Sequence, residues 1–561
     1  MKLIKQPDYK ANESVYLPHH AVVREDKSTT KTRVVFDASC KNENGISLND
    51  TLLVGPTIQG ELRHLIMRWR SYPVCLTADI IKMYRMIKIA EEDNDYQRIV
   101  WRENINDEIK DYKLLTVTFG TSSAPFSVRA LNQVAYDEGE RYPLAAARVA
   151  KEFYMDDLMT GGETVQECLQ IYHEMNELLM KAGFKLQKWN SNKDEIMEVI
   201  QNDKEREGRE KEISNTDTKI ENIEIKTDNT INILGLTWNR NRDEFQYSVK
   251  LPPLSAPVTK RKILSDVARL YDPMGWIAPS VVIAKVMIQK LWLAGLEWDE
   301  EAPKELIKEW LTYRSELPQL TAYKIPRWMY TKNDNVSVEL HGFSDASQIA
   351  YAAVVYARII DSSGVVHVSL VSSRSRVAPI NQISIPRLEL CGAVLLAKLL
   401  VEVADILVVP ITNVKAWTDS TVVLAWLSAS KELKCLFNVE NSSMSKEIAE
   451  ILATDGTSWK FIPPRAPNFA GLWEAGIKST KFHVKRVIGD ATLTFEEMST
   501  LLCQVEACLN SRPISIMSNN LEEPLPLTPG HFLIGEPLVN VPSPNYENLN
   551  ISSLKRWQLV Q

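Results

Sequence analysis

Residues 153–158 read Phe153-Tyr154-Met155-Asp156-Asp157-Leu158, two adjacent aspartates between apolar runs. In an extended chain neighbouring side chains point to opposite faces. An acid pair at a tight turn between apolar strands is therefore costly to bury without compensating charge. A divalent metal supplies that charge, because hard cations such as Mg²⁺ take oxygen ligands. A second apolar run, Val74-Cys75-Leu76-Thr77-Ala78-Asp79-Ile80-Ile81, carries one more acid. Two such strands side by side bring Asp79, Asp156 and Asp157 together. Three carboxylates around two Mg²⁺ (or Mn²⁺) ions can activate a hydroxyl and steady a leaving phosphate. Phosphoryl transfer needs little beyond such positioning and charge neutralisation. Taken alone, an Asp-Asp pair reads first as a surface hairpin turn, so the rest of the chain has to decide.

The chain has 561 residues, too many for one hydrophobic core. That length implies roughly three to five domains. With 45% hydrophobic and 24% charged residues, most of it is expected to be globular. The net charge of −7 and a pI of about 5.8 lack the basic character usual in nucleic-acid binders. Local basic surface can still sit beside acidic metal sites. Seven cysteines form no Cys-x-x-Cys pair, which fits a reducing compartment and no zinc ribbon. The first residues contain no apolar signal-peptide core. The most apolar stretch, Cys391 to Pro410, is broken by Lys398, Glu402 and Asp405 and reads as a buried helix.

Residues 1–200 alternate strand-like and helical patterns. Residues 201–230 are nearly all charge and are expected to be disordered. A strand-like run, Ile231 to Trp238, follows, and 255–330 carry helical stripes. Beyond them come strands Val336–Phe343 and Ala350–Tyr356, helix Leu388–Ala404, strand Val414–Thr418 and helix Thr421–Leu427, a mixed α/β order. Three more acids stand at element boundaries there: Asp345 ends a strand, Glu389 opens a helix, and Asp419 follows a strand. Further on, Glu474, Lys478 and Lys481 fall at i, i+4 and i+7 of a helical pattern, which by itself reads as a solvated salt-bridged face.

Together these runs resemble the polymerase region of Pao/BEL-type LTR retrotransposon polyproteins. Tyr16-Leu17-Pro18-His19-His20-Ala21-Val22, Thr32-Arg33-Val34-Val35-Phe36-Asp37-Ala38-Ser39 and Ser47-Leu48-Asn49-Asp50 look like that family's fingers. The resemblance implies a reverse transcriptase with Asp79, Asp156 and Asp157 as metal-holding catalytic acids. Arg33 is similar to the arginine on incoming nucleotide phosphates, a task that suits a planar guanidinium. Tyr84 looks like the steric gate that selects deoxynucleotides. Phe119-Gly120 resembles the motif under the nascent base pair. Gly183-Phe184-Lys185-Leu186-Gln187-Lys188-Trp189 looks like the motif after the catalytic hairpin and places Lys185 at the nucleotide. Leu234-Gly235-Leu236-Thr237-Trp238 looks like the primer grip, with Gly235 and Trp238 on nucleic acid.

Asp345, Glu389 and Asp419 resemble the catalytic, metal-holding acids of a ribonuclease H fold. A fourth acid expected after Asp419 is missing, and Asp455 sits in an Asp-Gly turn. Glu474 resembles the last acid of an integrase core, with Lys478 and Lys481 on DNA. The earlier integrase acids and the zinc-binding region are not found.

The expected fold is an α/β and α+β multidomain chain. A right-hand fingers-palm-thumb polymerase is followed by a ribonuclease H-like mixed sheet and a partial integrase segment. The expected boundaries are fingers and palm at 1–245, a helical thumb or connection at 246–330, a shortened ribonuclease H-like domain at 331–435 and an integrase remnant at 436–561. Implied partners are an RNA or DNA template with primer and deoxynucleoside triphosphates, with no membrane. The implied location is an intracellular retroelement particle in the cytoplasm, with the nucleus as a second compartment. The competing reading is a non-catalytic retroelement remnant that at most binds nucleic acid.

Overall fold

The computed structural model describes residues 1–4, 14–23, 32–214, 230–249, 251–254, 256–331, 337–381, 383–420, 423, 471–489, 493–516, 526–534 and 538. Two compact units, 1–460 and 461–561, make up the chain.

The acid pair sits in a four-stranded antiparallel sheet ordered Phe153–Tyr154, Asp157–Gly162, Val74–Ile80, Leu186–Ser191. Strand Val74–Ile80 is almost wholly buried, since it is covered on both faces. Helix Val165–Lys181 lies against it. Thr164 starts this helix by accepting from Glu167 N (3.1 Å), which satisfies an otherwise orphaned donor. Cys168, Ile171, Tyr172, Met175, Leu178 and Leu179 recur at helical spacing and are buried. Each such leucine stabilises the fold by about 1.5–3 kcal/mol on burial. Gly183, at φ +77°, follows the helix end, where a left-handed residue is favoured.

The charged stretch departs from expectation. Helix Asp194–Ser214 runs through its first half. Ile196 and Ile200 anchor the helix in the core, and the Glu, Lys and Arg residues that follow propagate it, being good helix formers. The remainder, 215–229, lies outside the described residues.

The run Ile231–Trp238 is not one strand but a hairpin, Thr230–Ile233 with Leu236–Asn239. Leu234 (φ +48°) and Gly235 (φ +85°) form its two-residue turn, the geometry that matches strand twist. Strands Glu244–Gln246 and Lys324–Pro326 complete this second sheet. A boundary at 245/246 therefore cuts a sheet. The helices between those strands, Lys260–Val267, Ala278–Leu293 and Lys304–Glu316, form an excursion around their own core of Ile263, Met287, Leu291 and Trp310.

The third sheet is ordered Val366–Val377, Ala350–Ile360, Ser337–Ala346, Val414–Trp417. Its last pair is parallel, joined through helix Ile385–Leu407. Strand Val366–Val377 was not expected from the sequence. Gly342 lets the helix approach: a Cβ there would lie 2.5 Å from Leu396 Cδ1 and 2.9 Å from Leu400 Cδ1. No described helix is long and apolar enough to cross a membrane.

Two fully buried arginines join the sheets. Arg70, on helix Leu62–Ser71, donates to the carbonyls of Arg327 (3.1 Å), Pro326 (3.1 Å), Leu370 (2.8 Å) and Val371 (3.2 Å). Burial and the neighbouring Arg327 push its guanidinium down to about 9, so it stays charged at neutral pH. Arg327 holds both oxygens of Asp243 (2.5 and 2.6 Å) and the carbonyls of Trp69, Tyr72 and Pro73. Arg70 thus ties strands of two sheets together, and Arg327 ties Asp243 to the chain that leaves helix Leu62–Ser71.

In the second unit, helices Gly471–Ile488 and Phe495–Asn510 share a small core through Leu501 and Val505. Thr494 and Glu497 form a capping box at the second helix.

Candidate catalytic centres

Antiparallel pairing sets Asp79 directly across from Asp157. Asp156 occupies the turn, and its carbonyl accepts from Ile80 N (2.8 Å). The three acids expected to meet are therefore brought to one end of one sheet. Burial raises the Asp157 carboxyl to about 7, with Asp156 and then Asp79 adding to the effect. Burial likewise raises Asp156, Asp79 adds, and a backbone N–H, Lys188 and Arg33 act against it. Carboxylates this crowded and dry hold protons unless a cation replaces them.

One cation on Asp79 comes from Lys188, a member of the motif after the hairpin to which the sequence assigns no separate role. Lys188 Nζ lies 2.6 Å from Asp79 Oδ2. Regular alternation would place Lys188 on the same face as buried Leu186. A bulge opposite Thr77–Asp79, with Lys188 at φ +54°, turns it out toward the acid instead. Lys185, expected at the nucleotide, is exposed, and its carbonyl accepts from Ile81 N (2.9 Å).

Tyr84 meets Phe119 edge to face, ring centroids 4.9 Å apart. Burial raises the Tyr84 hydroxyl, and Asp156 adds to it, so the ring stands within reach of the acids' field. Arg33 lies on the exposed strand Thr32–Phe36. Gly120 has φ +94°, and a Cβ there would sit 2.4 Å from the Phe36 carbonyl oxygen. Asn49 ties this corner together: its amide donates to Gly120 O (3.0 Å) and accepts from Ser122 N (2.8 Å). Gly120→Ala combines that clash with a left-handed backbone. It should lower stability by about 1–3 kcal/mol in urea denaturation; a loss below a few tenths of a kcal/mol would contradict the close approach.

Trp238 requires correction. It is fully buried, meets Trp69 edge to face at 5.1 Å and donates Nε1 to Asp243 (3.0 Å). Its side chain is a core element and presents no face to nucleic acid. Gly235 remains at the hairpin turn, where a Cβ would press to 2.8 Å of the Tyr271 ring.

The second centre lies on the third sheet. Asp345 is near the end of strand Ser337–Ala346, Glu389 is in the first turns of helix Ile385–Leu407, and Asp419 follows strand Val414–Trp417. One oxygen from each lies within 4.8 Å of the others. Burial raises the Glu389 carboxyl to about 7, with Asp419 and Asp345 adding. Glu389 Oε2 is buried without a hydrogen-bond partner. An all-oxygen donor set with one orphaned oxygen fits a hard divalent cation such as Mg²⁺ or Mn²⁺. The stretch where a fourth acid was sought, including Asp455, lies outside the described residues.

A further group, Glu61, His64 and Glu402, is equally close. There Arg63 and Arg374 (2.9 Å) already share the Glu402 carboxylate. The group reads as an ion network between helices Leu62–Ser71 and Ile385–Leu407. In the second unit, helix Gly471–Ile488 contains Glu474, Lys478 and Lys481. Lys481 is exposed, while the side chains of Glu474 and Lys478 lie outside the described residues.

Residues 259–420 match the sequence model of a family described as "Pao retrotransposon-like RNaseH-like domain". That match begins well before the third sheet, so it takes in the helical excursion that the sequence reading assigned to a thumb. The solved foamy viral protease-reverse transcriptase, in complex with an RNA/DNA hybrid, is similar in fold. It has 14% identity and a TM-score of 0.50, covering 83% of this chain and 51% of that one. A second structure of the foamy viral enzyme, with double-stranded DNA, has 15% identity and a TM-score of 0.49, covering 83% and 67%. The chain thus spans about half the length of the first of these proteins. No curated protein matches it.

Proposed function

We propose that the chain is the RNA-directed DNA polymerase of a retroelement, adding deoxynucleotides to a primer on a template. The observation that carries this reading is the convergence of Asp79, Asp156 and Asp157 at one sheet end, beside the Tyr84–Phe119 pair and under the field of Arg33. Mg²⁺ or Mn²⁺ would be held by these three acids, and when bound it supplies charge neutralisation at the reacting phosphate. The chain's own residues do the rest. Arg33 offers a planar fork for triphosphate oxygens. The Tyr84 ring forms a wall against which a 2′-hydroxyl would clash. Gly120 lets the backbone after Phe119 pass against the Phe36 carbonyl, at the end of the strand that carries Arg33. Lys188 offers a mobile cation at Asp79 that can move to a phosphate.

Primer extension on an RNA template tests the reading. Wild-type protein should extend and Asp156→Asn should not; equal signals from both would sink it and leave the non-catalytic remnant. The fold likeness to a reverse transcriptase supports the reading at the level of architecture.

Asp345, Glu389 and Asp419 favour a second centre on the same chain, a ribonuclease H-like site that holds divalent metal against the RNA strand of a hybrid. The family match over 259–420 and the closeness of the trio support it. Loss of a radiolabelled RNA strand from a hybrid, present in wild type and absent in Glu389→Gln, is the expected result.

Both centres give a pH signature. Asp157 and Glu389 hold protons in the fold up to about pH 7. The unfolded chain releases them near the usual carboxylate range, at about pH 4. Between those limits the folded state binds more protons than the unfolded one, so the metal-free protein loses stability as pH rises. The loss is complete above about 7, where ionised acids repel, and there added Mg²⁺ should stabilise most. Thermal melts at pH 5 and pH 8, with and without Mg²⁺, should show the larger metal-induced rise at pH 8. Asp157→Asn/Glu389→Gln should flatten the difference. An equal rise at both pH values would refute the assignment.

A further inference from the structure

Gln59 lies in the connection between the short helix Leu48–Thr51 and helix Leu62–Ser71, and it is partly buried. Its carboxamide takes two backbone partners on the catalytic hairpin. Nε2 donates to Phe153 O (3.1 Å), and Oε1 accepts from Met155 N (2.9 Å). Nε2 also lies 3.4 Å from the carbonyl of Gly60, a weaker contact.

These partners are not arbitrary. Phe153–Tyr154 is the edge of the first sheet, and its inner side pairs Phe153 with Leu158 and Tyr154 with Asp157. Phe153 O and Met155 N are two residues apart on the outer side. A neighbouring strand would offer one donor and one acceptor to such a pair of groups. The Gln59 side chain offers both from a single planar amide. It therefore stands in for a missing strand at one point only.

That point is the strained one. Met155 has φ +57°, a left-handed conformation that a residue with a side chain adopts at a cost. Asp156 and Asp157 follow it directly, so the Met155 backbone decides where both carboxylates stand. Strain of this kind persists only where surrounding contacts over-determine it, and the Gln59 amide is such a contact.

We propose that Gln59 is a positioning residue of the polymerase centre, its carboxamide holding the left-handed Met155 turn and so aiming Asp156 and Asp157. The kinetic part of this proposal rests on the polymerase reading; the contact itself does not. The side chains that could replace it differ in a useful way. Methionine keeps the length and loses both hydrogen bonds. Glutamate keeps the acceptor for Met155 N and loses the donor for Phe153 O.

Two measurements on the full chain test it, with wild type, Gln59→Met and Gln59→Glu. Residue-resolved hydrogen exchange of the free protein reads the Met155 amide. It should exchange about tenfold faster or more in Gln59→Met, and close to wild type in Gln59→Glu. Single-turnover extension reads the chemistry. The saturating rate in Gln59→Met should fall about ten- to a hundredfold, with primer–template affinity unchanged, because small misplacements of reacting groups act on the bound complex. Unchanged Met155 exchange in Gln59→Met overturns the contact, whatever the kinetics. Faster exchange with a wild-type saturating rate overturns the positioning role. Absence of extension by wild type overturns the polymerase reading and the positioning role with it, while exchange still reports on the contact.

Discussion

Asp157→Asn is expected to abolish nucleotide addition and, in the same protein, to raise metal-free stability at neutral pH. The two effects share one cause. Burial and the nearby Asp156 and Asp79 hold the Asp157 carboxyl near 7, well above the usual carboxylate range. Ionising it in the absence of metal is unfavourable, and an asparagine of the same shape removes that penalty. The charge it removes is the charge a divalent cation needs. Loss of one such electrostatic group at a reacting centre lowers the rate on the order of a thousandfold or more. A rate loss accompanied by a stability gain is the signature of a site selected for function over fold. Primer extension and thermal melts without divalent metal, read side by side, check this. Retained extension would remove Asp157 from the centre. A lower melting temperature would show that its carboxylate holds the hairpin together rather than straining it.

The largest expected loss of stability belongs to Arg327→Ala. The side chain is fully buried, with both Asp243 oxygens and three carbonyls on its fork. It also lies 5.1 Å over the Trp69 ring. Truncation leaves Asp243 without its buried cation and takes one donor from each of the Trp69, Tyr72 and Pro73 carbonyls. Breaking a buried pair from one side costs about 3–5 kcal/mol. Arg327→Lys should recover little, because three donors on a point charge cannot meet a planar set of five. Urea denaturation would measure both. A loss under about 1 kcal/mol for Arg327→Ala would mean that water reaches the node and satisfies those groups.

Much of this molecule can be read residue by residue. The apolar runs around Asp79 and around Asp156-Asp157 do pair, because a run buried on both faces must find backbone partners in another strand. The stripe through Leu388, Leu395, Leu399 and Val403 does form a buried helix. Glu389 in its first turns does meet Asp345 and Asp419, because a strand–helix–strand crossover places strand ends and the helix start at the same edge. In each case the pattern that can be read lies within a single segment, even where its partner is distant.

Other features depend on distant partners. Val366–Val377 has seven polar residues among its twelve and was passed over, yet it pairs along nearly the whole length of Ala350–Ile360. Lys188 looks like an inward strand position until a bulge re-aims it. Trp238 looks like an aromatic on a binding hairpin until Trp69 and Phe245 close over it. The charged run after Asp194 looks unfolded until its apolar start is anchored in the core.

Gln59 is the sharpest instance. The acid pair in the Tyr-Met-Asp-Asp box, its partner strand and its need for a cation are all legible from composition and spacing. Nothing in the sequence marks Gln59, which contacts the box from about ninety-five positions away (94 and 96 residues). The physical reason is the same at Arg70 and Arg327, which reach carbonyls up to 301 and 258 positions distant. Periodicity and side-chain chemistry are properties of a segment, so sequence determines which strands form and which acids need charge. Whether a polar side chain faces water or a backbone group that lacks a partner is decided only when segments far apart are packed together.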